Sequence, residues 1–219
     1  KNLRPMREFD LGPTELQAFG IWIMRPNDPR LRSLKTSSIP SYHGHKPWHS
    51  TWVLLSYLEK HPLDLQARVL DVGCGWGLAG IACIRRFQSQ VTAIDIDPKV
   101  FPYLKKHAEI NSVEVATETV AFNDISKELL CQQDVLIGSD ICFHENMIAQ
   151  LVSLITRART AGINKVILSD PGRSSFRSLV AHCAEKFDAK ILKWQTPEPL
   201  VPWSGDRPNI QGELLVING

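Results

Sequence analysis

Gly73, Gly75 and Gly77 recur at every second position of the stretch VLDVGCGWGLAG, residues 69–80, between an apolar strand-like run and an apolar helical one. Glycine lets the main chain adopt positive φ and approach a ligand with no Cβ in the way. A helix opening after Gly77 turns its free N–H groups, and the positive end of its dipole, toward the same spot. Asp71 directs the reading. A carboxylate at the mouth of the loop repels a pyrophosphate but suits an amine or a pair of hydroxyls, so the expected ligand is a nucleoside carrying positive charge. Asp95 follows in VTAIDIDP, residues 91–98. It stands roughly 20 residues past the loop, the spacing at which an acid holds ribose hydroxyls in a βαβ unit. Asp97, directly before Pro98, reads as a helix cap. Gly75 to Gly80 also satisfies G-x-G-x-x-G, which admits a nicotinamide- or flavin-dependent oxidoreductase as a rival; Asp71 argues against it.

These groups need a scaffold, and the chain supplies an alternating one. Residues 1–49 read as an irregular leader rich in Pro, Arg and Ser, with one apolar patch, FGIWIM (Phe19 to Met24), that suits a short strand. From Ser50, a candidate N-cap, Trp52, Leu55 and Leu58 mark one helix face, and His61-Pro62 stops the helix. Strands are then expected at RVLDVG, VTAIDI, ETVAF, DVLIGSD and KVILSD. Helices are expected at LAGIACIRRF, FPYLKKHAEIN, from about Asn146 to Ala161 with Gly162 as its stop, and SFRSLVAHCAEKF. AKILKW and ELLVIN close the chain as a hairpin. The fold class is α/β: a Rossmann-like, doubly wound seven-stranded sheet in a domain over residues 50–219, with a C-terminal antiparallel hairpin. Ligands of such sheets gather beyond the carboxyl ends of the strands, which directs attention to Asp71, Asp95, Asp124, Asp140 and Asp170.

The stretch DVGCGWG resembles the D-x-G-x-G-x-G loop of class I S-adenosylmethionine-dependent methyltransferases. The resemblance implies that the loop (Asp71, Gly73, Gly75, Gly77) lies along the methionine part of S-adenosylmethionine, that Asp95 holds the ribose, and that S-adenosylhomocysteine is the product. Asp124 resembles the position that takes the adenine amino group; a helix cap is the alternative for it, and Asn123 or Ile125 for the ring contact. SDICFHEN, Ser139 to Asn146, is similar to the motif after the fourth strand of the seven-strand protein lysine methyltransferases. LSDPGR, Leu168 to Arg173, resembles the GDPGR of the electron-transfer-flavoprotein β-subunit lysine methyltransferases, and KPWHSTW, which contains Trp48, falls where they also have tryptophan. Roughly residues 46–180 are covered.

The likeness implies N-methylation of a protein side chain such as lysine, with Asp140 and Phe143 catalytic and Trp48 on the cofactor side. Phe143 stands where that family has tyrosine; it keeps an aromatic face for a cation and gives up a hydroxyl. Asp140 would orient the amine. His144 either takes its proton or is simply an exposed helix-start residue. Trp48 and Trp203 either wall the acceptor site or pack as core and lid. Arg173 either faces an acidic substrate group or pairs with Asp170. A module that binds cofactor or partner without turnover is the alternative to catalysis.

Composition bounds the rest. The 219 residues are 43% hydrophobic and 22% charged, enough for one domain with a full core, and a net charge of +2 gives no electrostatic case for nucleic acid. No apolar run approaches the roughly 20 residues that span a bilayer, and no signal segment is expected. Five cysteines without C-x-x-C spacing disfavour structural zinc and a disulfide framework, so the expected compartment is the cytoplasm. The sequence does not set the oligomeric state.

Overall fold

A computed structural model describes residues 15–196 and 209–219. Strands β1 (Glu15–Ala18) and β2 (Ile21–Met24) form a separate antiparallel hairpin, followed by α1 (Leu34–Ser37) and α2 (His49–Lys60). Then come β3 (Arg68–Val72), α3 (Leu78–Phe87), β4 (Gln90–Asp95), α4 (Phe101–Asn111), β5 (Ala116–Thr119) and α5 (Lys127–Cys131). The chain continues through β6 (Val135–Ser139), α6 (Asn146–Thr160), β7 (Lys165–Asp170), α7 (Ser174–Phe187), β8 (Lys190–Gln195) and β9 (Gln211–Asn218).

The sheet runs β5-β4-β3-β6-β7-β9-β8, parallel except for β9, which lies antiparallel between β7 and β8. Alternation along the strands divides the core between the two faces. Val69, Ile137 and Ile167 pack with α2 and α3, whereas Leu70, Leu136 and Val166 pack with α6 and α7. The order reverses at β3, so the carboxyl ends of β3, β4 and β6 open a crevice that collects ligands in doubly wound sheets.

Three local expectations change. Within the segment read as an irregular leader, residues 15–24 form the β1–β2 hairpin, which packs on α3 and α4. Strand ETVAF ends early: β5 stops at Thr119, and Phe122–Asp124 form a 3-10 turn. All four β5 residues are exposed at the sheet edge, so no apolar alternation marked them, while the apolar Phe122 belongs to the turn. Ser50 is not the N-cap of α2. Trp48 holds that position, and Ser50 is buried within the first turn. No helix among the described residues is long and apolar enough to cross a membrane.

The hairpin is joined to α4 by side chains that act as a substitute strand. Nε2 of His107 accepts from the Met24 N–H at 3.1 Å, and Nδ1 donates to the Tyr103 carbonyl at 2.8 Å. One turn on, Asn111 accepts from the Trp22 N–H at 2.7 Å and donates to the Trp22 carbonyl at 2.8 Å. Burial pushes the His107 pKa down to about 4, with the two backbone bonds opposing it weakly. Burial pushes Asp71 the other way, to about 7, against the Gly80 N–H bond that favours its charged form.

The linkage signs are opposite. For His107 the unfolded chain binds more protons between about pH 4 and 6.5, so its contribution of about 3 kcal/mol is complete above 6.5 and is lost as pH falls through that window. For Asp71 the folded chain binds the extra proton, so stability falls as pH rises from 3.8 toward 7. Thermal unfolding against pH should therefore separate them. His107→Gln should steepen the gain in stability on acidification toward pH 5, Asp71→Asn should steepen the loss, and parallel curves for the two variants would refute both assignments.

Candidate functional site

The three glycines all take positive φ, at 63°, 52° and 72° for Gly73, Gly75 and Gly77, yet they serve different needs. A Cβ on Gly73 would come within 2.6 Å of Ile141 Cγ2, and one on Gly77 within 2.5 Å of Leu104. Those two positions are glycine because neighbouring elements close on them. A Cβ on Gly75 meets no atom within 4 Å, so this is the position where bare main chain faces open space.

Asp95, at the end of β4, borders that face. Its Oδ2 accepts from the Gly75 N–H at 3.1 Å, and its Oδ1 from the Asp97 N–H at 3.0 Å. Burial raises its pKa, with the two N–H bonds resisting. Each carboxylate oxygen keeps a further lone pair, which suits a pair of hydroxyls. Asp97 caps the 3-10 turn Pro98–Val100 through the Lys99 N–H, as its sequence context suggested. Asp71 differs from its expected place at the loop mouth. Its carboxylate is 2% exposed and turned beneath α3, where it accepts from the Gly80 N–H at 3.1 Å. Cys74, inside the loop, is held as a thiol by burial and by Asp71 and Asp95.

On the β5 side, Asp124 is exposed at the end of the 3-10 turn and does not cap it. The neighbour that reaches the glycine loop is Phe122, whose Cζ lies 3.8 Å from a Cβ built on Gly73. Arg157 of α6 fixes that turn by donating to the Phe122 and Ile125 carbonyls. Asn123 is exposed and Ile125 buried.

Asp140 and Phe143 come together just past β6. Asp140 has φ +59°, a left-handed conformation that aspartate tolerates better than most residues, and its N–H donates to Ser169 O at 2.9 Å. The reversal turns its carboxylate into a polar network. Arg173 bridges Asp140 Oδ1 at 2.5 Å and Asp170 Oδ2 at 2.7 Å, and Ser50 Oγ donates to Asp140 Oδ2 at 2.7 Å. Burial works against the Arg173 guanidinium, yet the two carboxylates hold its pKa above the ordinary value. Of the two roles open for Arg173, the structure has the pairing with Asp170 and adds one with Asp140. Phe143 is half-buried and His144 is exposed, their rings edge to face at 5.0 Å. Trp203 lies outside the described residues.

Trp48 lies on a strap, residues 38–48, that crosses the glycine loop. Trp76 of the loop donates its indole N–H to the Gly44 carbonyl at 2.9 Å, and the Ser41 N–H donates to Asp97 Oδ2. Trp48 donates to the His43 carbonyl at 2.7 Å, and Lys46 Nζ lies 4.5 Å above its ring. Phe122, Trp76 and His43 were not singled out in the sequence, and Ser50 was read there only as a helix cap. Trp76 alone carried a signal there, as the one large residue inside a glycine-rich loop.

The arrangement offers an open stretch of main chain with an adjacent carboxylate, on the sheet's ligand-collecting edge, and a second polar-aromatic cluster beyond β6. A family model described as lysine methyltransferase matches residues 33–176. The chain is 30% identical over 132 residues to the electron transfer flavoprotein beta subunit lysine methyltransferase of Xenopus laevis, covering 60% of this chain and 53% of the relative. It is 25% identical over 183 residues to the calmodulin-lysine N-methyltransferase of Arabidopsis thaliana, covering 74% and 59%. It thus spans between half and three fifths of these relatives' own lengths. Among solved structures, precorrin-6y C5,15-methyltransferase from Geobacter metallireducens GS-15 superposes with a TM-score of 0.59 at 11% identity, over 77% of this chain and 87% of that one, a likeness of fold.

Proposed function

The chain belongs to the lysine methyltransferase family, and from that premise we propose that it transfers a methyl group from S-adenosylmethionine to a nitrogen of a protein side chain, lysine first. The observation that carries the proposal is Gly75, whose bare main chain faces open space while its N–H is held by the Asp95 carboxylate.

The residues present fit the cofactor. Asp95 would hold the ribose hydroxyls, the Gly73–Gly77 main chain would run along the methionine part, and Phe122 and Asp124 would border the adenine. Asp71 would act from beneath, by fixing the first turn of α3 through Gly80. Trp48 would contribute through the strap that Trp76 holds down. When bound, S-adenosylmethionine supplies an electrophilic methyl carbon, and an amine acceptor takes it with release of S-adenosylhomocysteine and a proton. The protein's task is alignment and exclusion of water. Asp140, fixed by Arg173 and Ser50, places negative charge beside the acceptor, and Phe143 gives the amine an aromatic face.

Incubation of the protein with methyl-labelled S-adenosylmethionine and a native cell lysate tests the reading. Labelled protein bands that survive amino-acid analysis as methyl-lysine are expected. Label confined to small molecules would move the acceptor away from protein. Calorimetric binding of S-adenosylmethionine with no labelled product would indicate a binding module.

A further inference from the structure

Two segments flank the glycine loop from opposite sides. The turn after β6 packs on it through Ile141, whose Cγ2 blocks any side chain at Gly73. The strap crosses it through the Trp76–Gly44 hydrogen bond and is moored again by Ser41 on Asp97. Turn and strap meet where the His43 and Phe143 rings touch edge to face, with centroids 4.9 Å apart. The other side of His43 meets Trp48, edge to face at 5.9 Å. The far end of this cluster already holds a cation, since Lys46 Nζ lies over the Trp48 ring. Within the cluster, the half-buried Phe143 ring is the one with no cation over it.

An amine next to Phe143 needs a hydrogen-bond acceptor, because attack requires an oriented lone pair and an N–H left unpaired beside apolar surface is costly. Phe143 has no polar atom. Asp140, its side chain 8% exposed, is tied to Arg173 through Oδ1 and to Ser50 through Oδ2 and lends its charge from beneath. The imidazole of His43 is the polar group the strap brings against the Phe143 ring. His144 also approaches that ring, at 5.0 Å, but as its chain neighbour, whereas His43 reaches it from the strap across the glycine loop.

We propose that His43 is the amine-binding residue of the acceptor side: an unprotonated imidazole nitrogen accepts a hydrogen bond from an incoming primary amine and holds it against Phe143. The inference rests on the methyl-transfer reading and sharpens it to a slender alkyl amine, the shape of a lysine side chain. Because the strap also lies on the cofactor loop, the amine-binding group is in place only while the strap is seated.

The test uses the full chain, methyl-labelled S-adenosylmethionine and the lysate proteins that the native enzyme labels. His43→Phe should cut the initial rate of labelling by about 10- to 100-fold, the scale of losing one hydrogen bond to a reacting group. Its calorimetric affinity for S-adenosylhomocysteine should stay within about threefold of the native value, because the ring packing is retained. The decisive readout is rescue: Phe143→Tyr in the His43→Phe background returns a hydroxyl to the same place and should restore most of the rate. A native rate in His43→Phe, a double variant no better than the single one, or a larger loss from His144→Phe would each overturn the assignment. A native enzyme that labels nothing would instead remove the methyl-transfer reading, and this inference with it.

Discussion

Replacing Arg173 with methionine is expected to lower the free energy of unfolding by about 3 kcal/mol, the low end for stranding buried charge. Arg173 bridges Asp140 and Asp170, whose side chains are 8% and 0% exposed. Methionine keeps much of the stem and removes the fork, so two carboxylates are left facing one another with little water. The guanidinium itself is one-third exposed, which moderates the effect. Arg173→Lys should lose less stability but cannot bridge both acids in a planar fork. Arg173 also fixes the Asp140 carboxylate, so methyl transfer should fall in both variants. Urea unfolding measures the first effect, and it should shrink as the pH falls and the Asp170 carboxyl, its pKa raised by burial, takes up a proton. A methionine variant that unfolds within about 0.5 kcal/mol of the native chain would fall in the range of an ordinary surface change and would show the network to be ornamental.

The second large effect concerns cofactor affinity. Asp95→Ala should weaken binding of S-adenosylmethionine and S-adenosylhomocysteine by about 1.5–3 kcal/mol, or roughly 10- to 150-fold, the scale of hydrogen bonds to a charged group. The same substitution frees the Gly75 and Asp97 N–H groups that the carboxylate holds, so part of the loss reflects a looser loop. Asp95→Asn separates the two causes. It retains the shape and one acceptor oxygen, and should fall between the native protein and the alanine variant. Isothermal calorimetry that finds the alanine variant binding as tightly as the native chain would remove the ribose from Asp95.

Most of the sheet was legible because its inner strands are continuous apolar runs separated by amphipathic helices, a pattern that depends on burial alone. β5 lay beyond that signal. All its residues are exposed, and the apolar residues after it belong to a turn that Arg157 secures from α6. The hairpin at residues 15–24 was legible only in its second half, since its edge is satisfied by His107 and Asn111, side chains more than 80 positions away. In the site, residue type and spacing singled out Gly75, Asp95 and Asp140 as candidates but not the direction of a side chain. Asp71 shows the difference: an acid at a strand end is compatible with facing a ligand, and here it faces the backbone of α3. The strap was invisible for another reason. Gly44 and Ser41 hold their partners through main-chain groups, which every residue possesses, so no residue type announces the contact.

The placing of β9 between β7 and β8 bears on how the protein is made. β8 takes all of its recorded ladder from β9, and β7 takes one of its two neighbours from the same strand. During synthesis, residues 190–195 therefore leave the ribosome with no strand to join until residues 211–218 follow. The five strands from β3 to β7 can assemble in order of translation, whereas this flank must wait, with an apolar edge open to misassociation in the interval.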